Sequence, residues 1–269
     1  GTRVITMDIE IGPAVSPSRF MIDTVSEHSL IQARIAKNIG AKDIGQPEWA
    51  SNKGASEYEV RQVSLGNAWL AKLDCGEMQI ASIEGELPVP MGCCGILGLD
   101  FLRLFDWDID LVKKIATVST APKAGTPPVP FDLAGMRAVP LMPVRVPGMM
   151  ELMACPMGVS RVGHSSEKPQ VDCMAIADLG ASCTMCNQAI LSQLGLKPKG
   201  PRKVLEMPLE LTVGTGAEGP VKVKADVSVG DIEVFETMGL GANWPAAILG
   251  PDVLCQSRLI LSPRLRCIW

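Results

Sequence analysis

Two aspartates carry the chemistry this sequence offers. Asp23 ends the apolar run Phe20-Met-Ile and opens the small-residue turn Asp23-Thr24-Val25-Ser26. Asp178 ends Ala175-Ile-Ala and opens Asp178-Leu179-Gly180-Ala181. A carboxylate can take a proton from water while a second, protonated carboxyl polarises a carbonyl and later protonates the leaving group. One aspartate cannot fill both roles at once. Two held close share a single proton, because neighbouring like charges resist joint ionisation, and their titration belongs to the pair.

The elements around these aspartates repeat. Each aspartate follows an apolar strand and precedes a short helical segment, which stops at Gly40 in one half and Gly195 in the other. Both intervals are 17 residues. Further on stand Gly95-Ile-Leu-Gly98-Leu-Asp100 and Ala247-Ile-Leu-Gly250-Pro-Asp252, whose Gly98 and Gly250 lie 75 and 72 residues past the aspartates. Landmarks recurring in the same order at nearly the same spacing mark one structural unit used twice. Period-two alternation (Met7, Ile9, Ile11; Leu209, Leu211, Val213; Val221, Val223, Val227, Val229) predicts half-buried strands throughout. The glycine-rich 214–219 segment is followed by a strand rather than a helix, so it reads as a hairpin turn and not a phosphate cradle. A proline-rich stretch over 121–136 divides an N-terminal lobe, 1–120, from a C-terminal lobe, 137–269.

An aspartate at a strand end, a tight turn and a distant hydrophobic-hydrophobic-glycine segment together resemble the aspartic protease family. The likeness is to tandem, two-lobed retropepsin- and pepsin-like proteins, and it covers nearly the whole chain. Its strongest parts are Ile96-Leu-Gly-Leu-Asp-Phe-Leu102 with Phe105-Asp-Trp-Asp-Ile-Asp110, and Ala246-Ala-Ile-Leu-Gly-Pro-Asp-Val-Leu254 with Arg258-Leu-Ile-Leu261. The resemblance implies an all-β, bilobal acid-protease fold with two pseudo-symmetric lobes and short helices. It implies a catalytic pair of Asp23 and Asp178, a peptide or protein substrate and no cofactor. Ile96–Gly98 and Ile248–Gly250 would thread behind the aspartates, with glycine permitting close approach. The nearest likeness is to plant and algal members, which implies a plastid address.

The supporting turns, Thr24, Val25 and Ser26 with Leu179, Gly180 and Ala181, depart from the family's Asp-Thr-Gly-Ser/Ala pattern. Val25 stands in a glycine slot, where a β-branched residue restricts the backbone and adds bulk. Leu179 stands in a threonine slot and can neither donate nor accept the cross-lobe hydrogen bond that threonines make there. These departures raise a second expectation, a noncatalytic pseudoprotease that serves as a binding or structural subunit of a larger, organellar assembly. The flap over a bound peptide falls at 51–58, with Gly54 and Tyr58 as its candidates; the plainer reading of Tyr58 is an ordinary strand aromatic.

Other patterns exclude more than they offer. Hydrophobic residues make up 47% and charged residues 20%, which excludes a disordered chain. The net charge of −4 removes the basis for nonspecific nucleic-acid or anionic-membrane binding. No uncharged apolar run approaches the ~20 residues of a membrane helix, so an integral membrane protein is not expected. Two histidines, His28 and His164, exclude multi-histidine metal centres; both read as loop residues, with His28 near enough to Asp23 to modulate its charge. No metal site is expected, since Cys183-x-x-Cys186 lacks a second ligand pair. The nine cysteines read as reduced, mostly buried thiols of a reducing compartment. The start at Gly1 reads as a mature or trimmed form. Asp106, Asp108 and Asp110 lack the glycine and glutamate of a calcium loop and read as one solvated strand face. Six methionines over 136–157 (136, 142, 149, 150, 153 and 157) read either as a docking patch or as ordinary core.

Overall fold

The computed structural model describes residues 4–12, 17–46, 48–50, 58–120, 129–145, 151–163, 170–197, 204–214, 219–240, 243–256 and 258–269. The chain is all-β with short helices and folds as two compact units, one of Val4–Leu102 and one built on Arg103–Trp269. The first contains β1 (Thr6–Ile11), β2 (Ser18–Ile22), β3 (Leu30–Gln32), α1 (Ala33–Asn38), β4 (Lys42–Asp43), β5 (Glu48–Ala50), β6 (Tyr58–Leu70), β7 (Leu73–Ile83), β8 (Gly95–Leu97) and α2 (Leu99–Leu102). The second begins with β9 (Phe105–Asp110), β10 (Ile115–Thr120), β11 (Val139–Pro140), β12 (Met142–Arg145), β13 (Glu151–Arg161), β14 (Val171–Ala177) and β15 (Met185–Asn187). It continues with α3 (Gln188–Gln193), β16 (Val204–Val213), β17 (Val221–Gly230), α4 (Glu233–Thr237), β18 (Ala246–Leu249), α5 (Pro251–Leu254), β19 (Arg258–Ser262) and β20 (Cys267–Ile268).

Each unit closes a six-strand barrel, and the two rings match strand for strand. In the first the order is β1-β2-β8-β3-β7-β6 and back to β1; in the second it is β13-β14-β18-β15-β17-β16 and back to β13. The directions match as well. Strands β2 and β8 run parallel, as do β14 and β18; β3 and β7 run parallel, as do β15 and β17. The remaining pairs of both rings are antiparallel. The repeat read from the aspartate and glycine landmarks is thus a repeat of topology. Closure leaves no open edge in the ring, and the inward residues form the core: Ile9, Phe20, Ile22, Ile31 and Leu97 in one barrel, Leu152, Val159, Cys186, Leu211 and Ile248 in the other, all fully or nearly fully buried. Both α1 and α3 end at a glycine with left-handed φ, Gly40 at 75° and Gly195 at 68°, a conformation that glycine adopts without a Cβ clash.

A third sheet, β10-β9-β19-β20-β11, belongs to the second unit. Residues 105–120, grouped by sequence with the N-terminal half, therefore share a sheet with β19 near the C-terminus, through the pairing of β9 with β19. Their acidic row is not a solvated face. Asp106 is fully buried, accepting from Ser262 Oγ at 2.6 Å and from Arg264 at 2.9 Å. Asp108 takes a bidentate pair from Arg258 at 2.8 and 2.6 Å. Asp110 pairs with Lys113 three residues on, at 2.9 Å, whereas the arginines that neutralise Asp106 and Asp108 lie some 150 residues away, where local spacing could not reveal them. Of the methionine cluster, Met153 and Met157 are buried and Met142 is exposed, while Met149 and Met150 lie outside the described residues. Among the described residues no helix is long and apolar enough to cross a membrane.

Candidate functional site

The site is built twice, once in each unit, from a strand end, a turn and a glycine behind it. In the first unit β2 delivers Asp23, whose N–H donates to the Leu97 carbonyl at 3.0 Å. Its Oδ1 accepts from the N–H groups of Val25 at 2.8 Å and Ser26 at 3.0 Å. In the second unit β14 delivers Asp178, whose N–H donates to the Leu249 carbonyl at 2.9 Å. Its Oδ1 accepts from Gly180 at 2.8 Å and Ala181 at 3.1 Å. Two backbone amides on one carboxylate oxygen favour its charged form and fix the carboxyl plane. Burial opposes them at Asp23 and is the larger influence, so its pKa is raised above the ordinary 3.8.

Val25 does not disturb this turn. It closes on the same two amides as its counterpart, and neither Val25 nor Gly180 has a positive φ. On backbone grounds the slot therefore accepts valine as it accepts glycine. Thr24 and Leu179, the residues after each aspartate, are both buried.

What holds each turn from behind is an anchor that sequence reading passed over. Ser29 Oγ donates to Asp100 Oδ1 at 2.6 Å and accepts from Gly98 N–H at 3.0 Å, while Ser29 N–H donates to Asp100 Oδ2 at 2.8 Å. In the second unit Thr184 Oγ1 donates to Asp252 Oδ1 at 2.8 Å and accepts from Gly250 N–H at 3.0 Å, and Thr184 N–H donates to Asp252 Oδ2 at 3.0 Å. A hydroxyl suits the place because it donates and accepts at once. Asp100 and Asp252 were visible as landmarks. Ser29 and Thr184, each six residues past its aspartate, were the missed signal. The glycines are required by close approach: a Cβ on Gly98 would lie 2.7 Å from the His28 carbonyl, and one on Gly250 would lie 2.6 Å from the Cys183 carbonyl carbon. His28 itself is exposed, with Nδ1 4.0 Å from Asp100 and Nε2 3.6 Å from Glu27.

The flap segment is described in part. β5 and β6, on either side of it, pair antiparallel with Ala50 opposite Tyr58, and Tyr58 opens β6. Gly54 lies outside the described residues, as do His164 and residues 121–128 of the 121–136 stretch. β16 and β17, on either side of the 214–219 segment, pair antiparallel and correspond to β6 and β7, while residues 215–218 lie outside the described residues. All nine cysteines are free, and five are buried. Burial pushes the Cys155 and Cys173 thiols up to about 12 and Cys186 well above its usual range. Among the described residues no cluster of histidine, cysteine or acidic side chains could hold a metal ion.

The arrangement in each unit presents one carboxyl, oriented by two amides on a rigid strand end. No protein-family profile matches the chain, and no curated protein matches it.

Proposed function

We propose that this chain is an aspartic-protease-like protein of the bilobal pepsin and retropepsin type, in which Asp23 and Asp178 act together on one water molecule. The observation that supports this reading is the duplicated carboxyl: in two barrels of identical topology, the same strand ends in an aspartate whose Oδ1 is held by the amides two and three residues on. With Oδ1 so held, proton exchange falls to Oδ2 of each. The carboxyl that keeps its proton polarises the peptide carbonyl and later protonates the leaving amine; the ionised one takes the proton of the attacking water. Burial at Asp23 favours its protonated form and suits it to the acid role. The substrate of this reading is a peptide, under the 51–58 segment as flap.

A digest of a broad peptide library across acid and neutral pH tests the reading. Cleavage that disappears in Asp23→Asn and in Asp178→Asn, with binding of a statine-type peptide lost in parallel, is the expected result. A second reading, a noncatalytic binding or structural subunit, is favoured by Leu179, which puts an aliphatic side chain where the family carries a hydroxyl. A chain that stays inert in the digest, and remains so after Val25→Gly and Leu179→Thr together, would establish that second reading instead.

A further inference from the structure

The second unit contains a cavity of about 470 Å³ that the aspartate chemistry does not use. It lies between the barrel strands β16 and β17, helix α5 and the five-stranded sheet, with walls that include Val213, Val221, Val223, Val253, Leu259 and Ile268. Its volume falls within the ~300–1,000 Å³ typical of small-molecule sites, which join an apolar wall to a few placed polar groups. Here the polar side chains on the wall are Arg137, Gln256, Arg258 and the Trp269 indole, and no acidic side chain lines it among the described residues.

The two arginines are not equivalent. Arg258 is engaged at every nitrogen of its guanidinium: Nε and Nη2 bind Asp108, and Nη1 donates to the Asp132 carbonyl at 3.0 Å. Arg137 is exposed, donates from Nη1 to the Pro220 carbonyl at 2.9 Å, and has no carboxylate partner among the described residues. A branched-aliphatic wall beside an arginine without a counter-charge selects a ligand with a flexible apolar body and one anionic head. A dianion or a sugar would leave its remaining polar groups against Val and Leu side chains, unpaired and desolvated. We propose that this cavity binds a medium-chain aliphatic monocarboxylate, its chain along Val221 and Val223 and its carboxylate on the Arg137 guanidinium. The site is independent of the aspartates and stands whether or not they hydrolyse peptides.

Calorimetric titration of the full chain with dodecanoate, below its micelle-forming concentration, tests the assignment. Trp269 lines the cavity, so 12-bromododecanoate should quench its fluorescence, and Trp269→Phe should remove that part of the quench without removing binding. Saturable one-to-one binding is expected. Arg137→Gln should weaken it about tenfold or more, as loss of a charge-assisted hydrogen bond does, and 1-dodecanol should bind wild type no better than dodecanoate binds that variant. Val223→Phe should fill the cavity and abolish binding. Should that variant not fold by circular dichroism, Val221→Phe, half-buried on the same strand face, replaces it. Absence of saturable binding overturns the proposal, as does affinity untouched by Arg137→Gln or matched by 1-dodecanol.

Discussion

In the first barrel the aspartate turn reads Asp23-Thr24-Val25-Ser26, and in the second Asp178-Leu179-Gly180-Ala181, so every residue after the aspartate differs. The hydrogen bonds do not. Each Oδ1 accepts from the amides two and three residues on, within 0.1 Å of its counterpart. What the two barrels share chemically lies one layer back, where an aspartate, a hydroxyl and a glycine pin the turn: Asp100, Ser29 and Gly98 against Asp252, Thr184 and Gly250. Backbone amides supply the contacts to the carboxylate, and any residue can supply an amide at negative φ. The anchor needs a hydroxyl that both donates and accepts, and a glycine where chains nearly touch, so its residue types are far less free.

The harshest way to break this equivalence is to add one carbon at the close approaches. Gly98→Ala and Gly250→Ala should each cost about 3 kcal/mol or more, since backbone rather than a flexible side chain stands in the way. Thermal melts of the two variants should fall together. Gly95→Ala sharpens the contrast, because a Cβ there would run into the Leu30 carbonyl, whereas the corresponding position of the second barrel already carries Ala247. A mild effect at Gly95 would mean that β8 and β3 can give way to a Cβ there.

Next in size come the anchors. Asp100→Ala and Asp252→Ala each remove hydrogen bonds to a backbone N–H and a hydroxyl, and should cost about 2–3 kcal/mol by denaturant titration. Asp→Asn at either site should recover part of the loss. A large loss in one barrel and none in the other would end the claim that the anchors are equivalent.

The pH dependence is more modest. Burial raises the Asp23 pKa, so the folded state binds this proton more firmly than the unfolded chain does. The stability Asp23 contributes is complete below its unfolded pKa and is lost as pH rises through the folded one. Asp23→Asn keeps the group neutral, so the variant should melt above wild type at pH 7 and level with it below about pH 4. A variant less stable than wild type at pH 7 would reverse the sign. Smallest of all, Val25→Gly should lower stability by about 0.5–1 kcal/mol through backbone entropy alone, because no positive φ awaits the glycine. A gain in stability would show that valine strains the turn.

Much of this fold was legible in order along the chain. Alternating leucines and valines gave β16 and β17, glycines marked the ends of α1 and α3, and the paired spacings of Asp23, Gly98, Asp178 and Gly250 gave the duplication. The reading failed where a property depends on a distant partner. The row Asp106, Asp108 and Asp110 has the alternation of an exposed strand face, and nothing within ten residues hints at Arg258 and Arg264. Ser29 and Thr184 are ordinary polar residues until Asp100 and Asp252 reach them across some 70 positions.

The sequence by itself determined an all-β chain carrying two copies of one aspartate-bearing unit, because periodicity and turn residues act over a few neighbours and survive without context. Tertiary structure decided that each copy closes a six-strand barrel, that Val25 makes the same turn as Gly180, and that a hydroxyl-bridged carboxylate stands behind each aspartate. Those outcomes depend on ring closure, φ values and contacts between residues far apart in the chain, which local spacing does not encode.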